Sequence, residues 1–154
     1  MERTLVLVKP DALQRQMAGE VVSRIEKKGL RLVAVKMITL DDKTLEDHYS
    51  HLKDKPFFPR IKAFMKSAPV IAIVAEGRGA VEVVRKLCGV TNGREAEAGT
   101  IRGDLAMSIQ CNLVHASDSA ETAQKEIARF FKPSEIFNWK PVLTDYTYAS
   151  EEVQ

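Results

Sequence analysis

The sequence predicts an α/β protein of the α+β sandwich kind: a ferredoxin-like, four-stranded antiparallel sheet with helices covering one face. Three observations predict it. The chain has 154 residues, 45% hydrophobic and 29% charged, the proportions of an ordinary globular domain. Strand-like and helix-like segments alternate in the order β-α-β-(αα)-β-α-β-α, which suits a split β-α-β arrangement. No repeat, low-complexity run or linker interrupts the chain, so one domain is expected over 1–154, with a C-terminal tail from about Lys132. A doubly wound parallel sheet is the runner-up. A chain of this size buries roughly 68–70% of its unfolded surface, enough for a core without disulfide or metal staples.

Arg3–Val8 is rich in Leu and Val with almost no polar alternation, the pattern of a well-buried strand. Lys9-Pro10-Asp11 stops it, and Pro10 suits the first turn of a helix. Gly19–Lys28 places Val21, Val22 and Ile25 on one face, with Gly29 as the closing residue of an amphipathic helix. Leu30–Leu40 alternates as a second strand, and Asp41/Asp42 precede Leu45 and His48-Tyr49 as a helix N-cap region. Pro56-Phe57-Phe58-Pro59 is a turn opening a helix over Ile61–Met65. Pro69–Ala75 reads as the third strand, Ala80–Leu87 as a helix, and Gly89–Gly103 as a long polar loop of the kind that is usually functional or disordered. Ser108–Val114 is expected as a short fourth strand and Ser117–Phe131 as the last helix.

Several function classes drop out. There is no G-x-x-x-x-G-K-[ST], and Gly77-x-Gly79 lacks the third glycine of a dinucleotide fingerprint. His48 and His51 lie three apart on a helical stretch without the Cys or acidic partners of a metal set. Arg102-Gly103-Asp104 invites an adhesion reading that nothing else in the chain supports. The longest apolar stretch, Pro69–Ala75, is too short to cross a bilayer, and the start of the chain does not read as a signal peptide. Cys88 and Cys111, each beside apolar residues, suggest packed thiols in a reducing compartment, hence a cytoplasmic protein. A net charge of +2 supplies no bulk field for nucleic acid or anionic lipid, so an anion site must be built locally.

The informative stretch is Asn112-Leu113-Val114-His115-Ala116-Ser117-Asp118. A lone histidine stands where a buried strand ends, and Asp118-x-x-Glu121 matches a capping box for the next helix. Spacing alone leaves two readings open. In one, Ser117 and Asp118 are caps and His115 is an edge histidine. In the other, His115 is a nucleophile facing a helix N-terminus, where backbone N–H groups bind phosphate and an imidazole nitrogen accepts a phosphoryl group. Glu126 would then bond one ring nitrogen and leave the other free to attack.

Asn112-x-x-His115-x-Ser117-Asp118 resembles the active-site signature of the nucleoside diphosphate kinases. The likeness extends to Arg3-Thr4-Leu5-Val6 with Val8-Lys9-Pro10-Asp11, then to His48-Tyr49 and Lys55-Pro56-Phe57-Phe58. It continues through Arg85, Thr91-Asn92 and Gly99-Thr100-Ile101-Arg102-Gly103-Asp104, in the family's order, from residue 3 to about 131. The chain departs from the pattern at Gly93, where proline is common and where a looser loop is therefore expected. It also departs at Cys111, where a basic residue is frequent, and at Ala116, where glycine is frequent; after Trp139 the match is poor.

The resemblance implies a ferredoxin-like fold and a ping-pong transfer of the terminal phosphoryl group between Mg²⁺–nucleoside tri- and diphosphates through a phosphohistidine. His115 would carry the phosphoryl group, Glu126 would orient its ring, and Ser117 would support Glu126. Lys9 and Asn112 would touch the transferring phosphate or the ribose hydroxyl, and Tyr49 would support Lys9. Arg85, Thr91 and Arg102 would hold the outer phosphates, while Phe57 and Ile61 would meet the base. Mg²⁺ would arrive with the nucleotide. The resemblance also implies a homo-oligomer, with a hexamer favoured, a tetramer possible and the Gly89–Gly103 loop in the contact. The rival from another class is a binding module that has lost turnover and contacts single-stranded nucleic acid. The charge of +2 and the lack of an aromatic RNA-recognition signature count against it.

Overall fold

The computed structural model describes residues 1–152; Val153 and Gln154, the end of the tail, lie outside the described residues. Four strands, β1 (Glu2–Val8), β2 (Arg31–Ile38), β3 (Val70–Gly77) and β4 (Val114–Ala116), form one sheet in the order β2-β3-β1-β4. Every pairing is antiparallel, which excludes the doubly wound alternative. Among the described residues seven α-helices surround it: α1 (Pro10–Gln14), α2 (Ala18–Lys27), α3 (Asp42–His48), α4 (Phe58–Met65), α5 (Ala80–Cys88), α6 (Ile101–Leu105) and α7 (Ala120–Phe130).

Both faces of the sheet are covered, not one. Val6, Val8, Ile73 and Ala75 pack against Val21 and Ile25 of α2 and Val84 and Cys88 of α5. Leu5, Leu7, Ala72 and Val74 pack against Leu45 of α3, Met65 of α4 and Phe130 of α7. This is why β1 and β3 lack alternation: a strand with apolar neighbours on both faces gains nothing from polar residues.

Local signals set most boundaries. Pro10 stands in the first turn of α1, and Gly29, at φ +94°, follows α2. Asp41 caps α3 by accepting from the Thr44 amide at 2.7 Å.

Three expectations shift. The strand expected over Ser108–Val114 is irregular as far as Leu113 and begins only at Val114, so His115 lies inside it. The reason is local: the Ser108 hydroxyl accepts from the amides of Gln110 and Cys111, and Leu113 has φ +69°. The last helix is capped by Ser119, whose hydroxyl accepts from the Thr122 amide at 3.1 Å, and not by an Asp118–Glu121 box. The polar loop after Gly89 ends early, at α6. Within it, Gly93 is buried and lies so close to Ala106 that a Cβ would meet the Ala106 carbonyl oxygen at 2.4 Å. The glycine therefore permits tight packing there; it does not loosen the loop.

The tail runs beside the edge strand. The Phe137 amide donates to the Val33 carbonyl at 2.8 Å, and Trp139 Nε1 donates to the Leu32 carbonyl at 3.0 Å. Lys36 Nζ reaches both Glu135 carboxylate oxygens at 2.8 Å. These contacts use edge groups that β2 would otherwise leave to solvent.

Candidate active site

β4 joins the sheet beside β1, with His115 opposite Leu7, which turns its imidazole toward the face covered by α3 and α7. Ser117 continues the line of β4: its amide donates to the Leu5 carbonyl at 3.2 Å and its hydroxyl lies 3.3 Å from the Leu5 amide. Ala123, Glu126 and Phe130 form the buried stripe of α7, which brings a carboxylate down onto the end of the sheet.

The structure brings His115, Ser117 and Glu126 together. Glu126 Oε1 lies 2.9 Å from His115 Nε2, and Oε2 accepts from the Ser117 hydroxyl at 2.6 Å. An ionised carboxylate only accepts, so the pair assigns the proton to Nε2 and leaves the lone pair on Nδ1. Burial opposes the charge on Glu126, but the bonds from His115 and Ser117 outweigh it and hold the carboxyl below its ordinary range.

Behind this pair stands a residue that sequence reasoning left without a role. His48 is buried, 4.5 Å centroid to centroid from His115 in an edge-to-face contact, with Nδ1 3.6 Å from Glu126 Oε1. Burial, with the neighbouring His115, pulls it down to about 3, so it is neutral at ordinary pH. Donor atoms of His48, His115 and Glu126 lie within 4.8 Å of one another, a set that no sequence spacing revealed. Arg129 Nη1, 3.2 Å from His48 Nδ1, places a cation where a metal ion would have to approach. Two imidazoles also suit a softer ion than Mg²⁺.

The Tyr49 ring lies against His48 and 6.2 Å from His115, and burial raises its hydroxyl well above the ordinary tyrosine value. Among the described residues it makes no hydrogen bond to Lys9. The Lys9 ammonium instead donates to the Gln110 carbonyl at 2.5 Å and to Asn112 Oδ1 at 2.7 Å, and lies 5.1 Å from the Phe64 ring centre. Asn112 Nδ2 in turn donates to the Thr91 carbonyl at 2.9 Å, which ties the Gly89–Gly103 loop to the site.

Burial lowers Lys9 to about 8; Asp11 and Cys111 oppose the shift and Arg102 adds to it. Arg102, half-buried on α6, donates to the carbonyls of Gly89 and Val114 at 2.7 and 2.8 Å. Burial, with Arg85 alongside, holds its guanidinium below the ordinary range. Arg85 is exposed on α5. Arg102 is near enough to Lys9 to disfavour its charge, Arg85 acts on Arg102 in the same way, and Lys9 bonds Asn112, so positive charge gathers here although the whole chain carries only +2. Phe57, 38% exposed, precedes α4, and Ile61 lies half-buried one turn on. A cavity of about 380 Å³ between the tail and the far ends of β1 and β3, lined by Arg31, Glu76, Asn138 and Tyr148, contains none of these residues.

This arrangement suits phosphoryl transfer: a ring nitrogen with a free lone pair, a carboxylate behind it, and cations for spread phosphate charge. Comparison with known proteins agrees. The sequence model of the family Nucleoside diphosphate kinase matches residues 2–136. A nucleoside diphosphate kinase of Parabacteroides distasonis is 55% identical over 152 residues, 99% of each chain. One of Archaeoglobus fulgidus is 48% identical over 148 residues, 96% of this chain and 98% of that one. The nucleoside diphosphate kinase of Halobacterium salinarum, solved in complex with CDP, superposes with a TM-score of 0.93 at 41% identity, covering 96% of this chain and 98% of its own. A family protein from Babesia bovis superposes at 0.92, also at 41% identity, over 96% of this chain and all of that one. The chain belongs to the nucleoside diphosphate kinase family, whose members are phosphotransferases.

Proposed function

We propose that His115 Nδ1 carries the phosphoryl group between a nucleoside triphosphate and a nucleoside diphosphate. The single observation that supports this most is the 2.9 Å contact of Glu126 with Nε2, which leaves Nδ1 as the nucleophile. In the first half-reaction Nδ1 attacks the terminal phosphorus, the bond to the bridging oxygen breaks, and the nucleoside diphosphate leaves. The imidazole becomes cationic and its Nε2–H bond to Glu126 strengthens. In the second half-reaction a terminal oxygen of the incoming diphosphate attacks the phosphorus and the P–N bond breaks, restoring His115.

Lys9, Asn112, Arg85, Thr91 and Arg102 hold the phosphates and the ribose hydroxyl, and Phe57 and Ile61 meet the base. Ser117 orients Glu126, and Tyr49 packs the histidine pair. Mg²⁺ bound to the nucleotide would supply part of the charge neutralisation at the phosphates, beside that of Lys9, Arg85 and Arg102. No residue of the chain has to supply a metal cage.

The whole chain works as one catalytic domain, in homo-oligomers, with a hexamer favoured over a tetramer. Val35 and Met37, 51% and 62% exposed on the edge strand β2, are the apolar surface that supports association. Cytoplasmic residence fits the two free thiols, and no helix among the described residues is long and apolar enough to cross a membrane. The test is incubation with γ-labelled ATP: an acid-labile, alkali-stable label on His115, chased by unlabelled GDP, is expected. A protein that turns over without that label rejects the covalent route.

A further inference from the structure

The strand that carries His115 starts at a turn that a leucine resists. Leu113 has φ +69°, and the Val114 amide donates to the Asn112 carbonyl at 2.8 Å, closing a three-residue γ-turn of the rare positive-φ kind. Leu113 is fully buried, so water cannot satisfy its backbone groups. One short segment satisfies both. The Leu113 amide donates to Asp11 Oδ2 at 3.0 Å, and its carbonyl accepts from the Lys9 amide at 2.8 Å. Asn112, just before the turn, accepts from Lys9 Nζ, and His115 stands two residues after it. Pro10, with its fixed φ, stiffens the Lys9–Asp11 corner between the two contacts.

We propose that Asp11 is a positioning residue: its carboxylate holds the Leu113 turn closed on the Lys9 corner, and so keeps the His115 imidazole in line with the phosphate that Lys9 and Asn112 hold. This rests on the proposed route through His115. Without the carboxylate the Leu113 amide is a buried donor with no partner, and the turn relaxes toward negative φ. That rotation moves the first residue of β4 and tilts the imidazole. A misplacement of about 1 Å is enough to lose about 10²-fold in rate.

Asp11→Asn keeps an acceptor oxygen for the Leu113 amide and loses the charge, whereas Asp11→Ala loses both. The measurement is single-turnover phosphorylation of the enzyme by ATP, per folded subunit, together with nucleotide affinity. Asp11→Ala should phosphorylate about 10²-fold more slowly with affinity changed less than about threefold, and Asp11→Asn should recover to within about fivefold of the native rate. A normal rate in Asp11→Ala overturns the proposal. So does equal impairment of both variants, which would assign the effect to charge on Lys9. Should Asp11→Ala not fold, amide exchange in the native protein and Asp11→Asn still decides. Leu113 should stay protected in both, and a Leu113 amide that opens in Asp11→Asn while phosphorylation stays normal refutes a role for the turn. Each arm is scaled to the native protein's own phosphorylation, so failure of the His115 route appears separately, as no label in the native enzyme.

Discussion

The Lys9 ammonium donates to Asn112 Oδ1 at 2.7 Å, and both residues are buried. A phosphate oxygen reaching this pair meets a cation already stripped of most water, where a charge counts for more than at the surface. The same burial lowers Lys9 to about 8, below its ordinary 10.5. In the free enzyme the amine is charged at pH 7 and largely neutral by pH 9, so kcat/KM should fall as pH rises through about 8. The effect on stability has the opposite sign. Below the folded value both states are protonated and the cost of burying the charge is fully present; between about 8 and 10.5 the unfolded chain binds the extra proton, so raising the pH relieves that cost. A pH–rate profile beside a pH series of denaturation midpoints checks both directions. Lys9→Arg should flatten the alkaline limb of the rate.

Replacing His115 with Asn keeps a polar side chain of similar reach but removes the attacking nitrogen. Turnover should fall by about 10⁴-fold or more, while nucleotide binding and the thermal midpoint stay close to native. Labelling with γ-labelled ATP and a calorimetric binding curve on the same preparation read the two effects separately.

Glu126→Gln keeps the shape that Ser117 and His115 contact but no longer offers a full charge to the developing imidazolium. The expected loss is about 10–100-fold in kcat with a smaller change in KM. Stopped-flow phosphorylation should locate the loss in the transfer step. A changed affinity with an unchanged transfer rate would make Glu126 purely structural.

How far this site was legible depended on whether its cause was local. Arg3–Val8 reads as a buried strand because Leu5–Val8 is an unbroken apolar run, which the structure buries fully together with Thr4, and Gly29 reads as a helix end because few other residues tolerate φ +94°. The helical spacing of α7 puts Thr122, Ala123 and Glu126 along one face, and the structure buries the last two and half-buries Thr122. The start of β4 was not legible. Ser108–Leu113 has the composition of a strand, but Leu113 is forced to φ +69° in company with Asp11 and Lys9, about a hundred residues earlier in the chain. His48 escaped for the same reason: its partners His115, Glu126 and Arg129 come from β4 and α7. Tyr49, at the end of α3, meets His48 and His115 through the same long-range packing.

The tail is tied to the sheet edge through side chains as well as backbone, and the only tryptophan of the chain makes one of those bonds. Trp139→Phe keeps most of the ring and deletes the bond to the Leu32 carbonyl. Because the side chain is half-exposed, the expected cost is at the low end for a hydrogen bond, about 0.5–1 kcal/mol, or about 1–4 °C in Tm. In the native protein, Trp139 emission should shift red at lower urea than the loss of far-ultraviolet circular dichroism. Coincident transitions would show that the tail is part of the cooperative core.

Substrate breadth follows from what surrounds the proposed base contacts. Phe57 presents part of a ring at the start of α4, and Ile61 an aliphatic edge one turn later. Neither offers a hydrogen bond to a base edge. Strong discrimination needs buried polar groups that the wrong base leaves unpaired, and Phe57 and Ile61 are not such groups. Stacking is worth roughly 1–3 kcal/mol per base, and every base has a face to stack. Lys9, Arg85, Thr91, Arg102 and Asn112 meet only what all nucleotides share. The kcat/KM values for ADP, GDP, CDP and UDP with one donor should therefore lie within about two orders of magnitude, the spread that stacking differences of a few kcal/mol allow. Phe57→Ala should lower all four by about 10-fold to 10²-fold, and purines more than pyrimidines because the larger face loses more contact. Steady-state kinetics on the four acceptors decide it. A single base preferred beyond two orders, or a Phe57→Ala variant with unchanged KM for every acceptor, would mean that the base sits elsewhere.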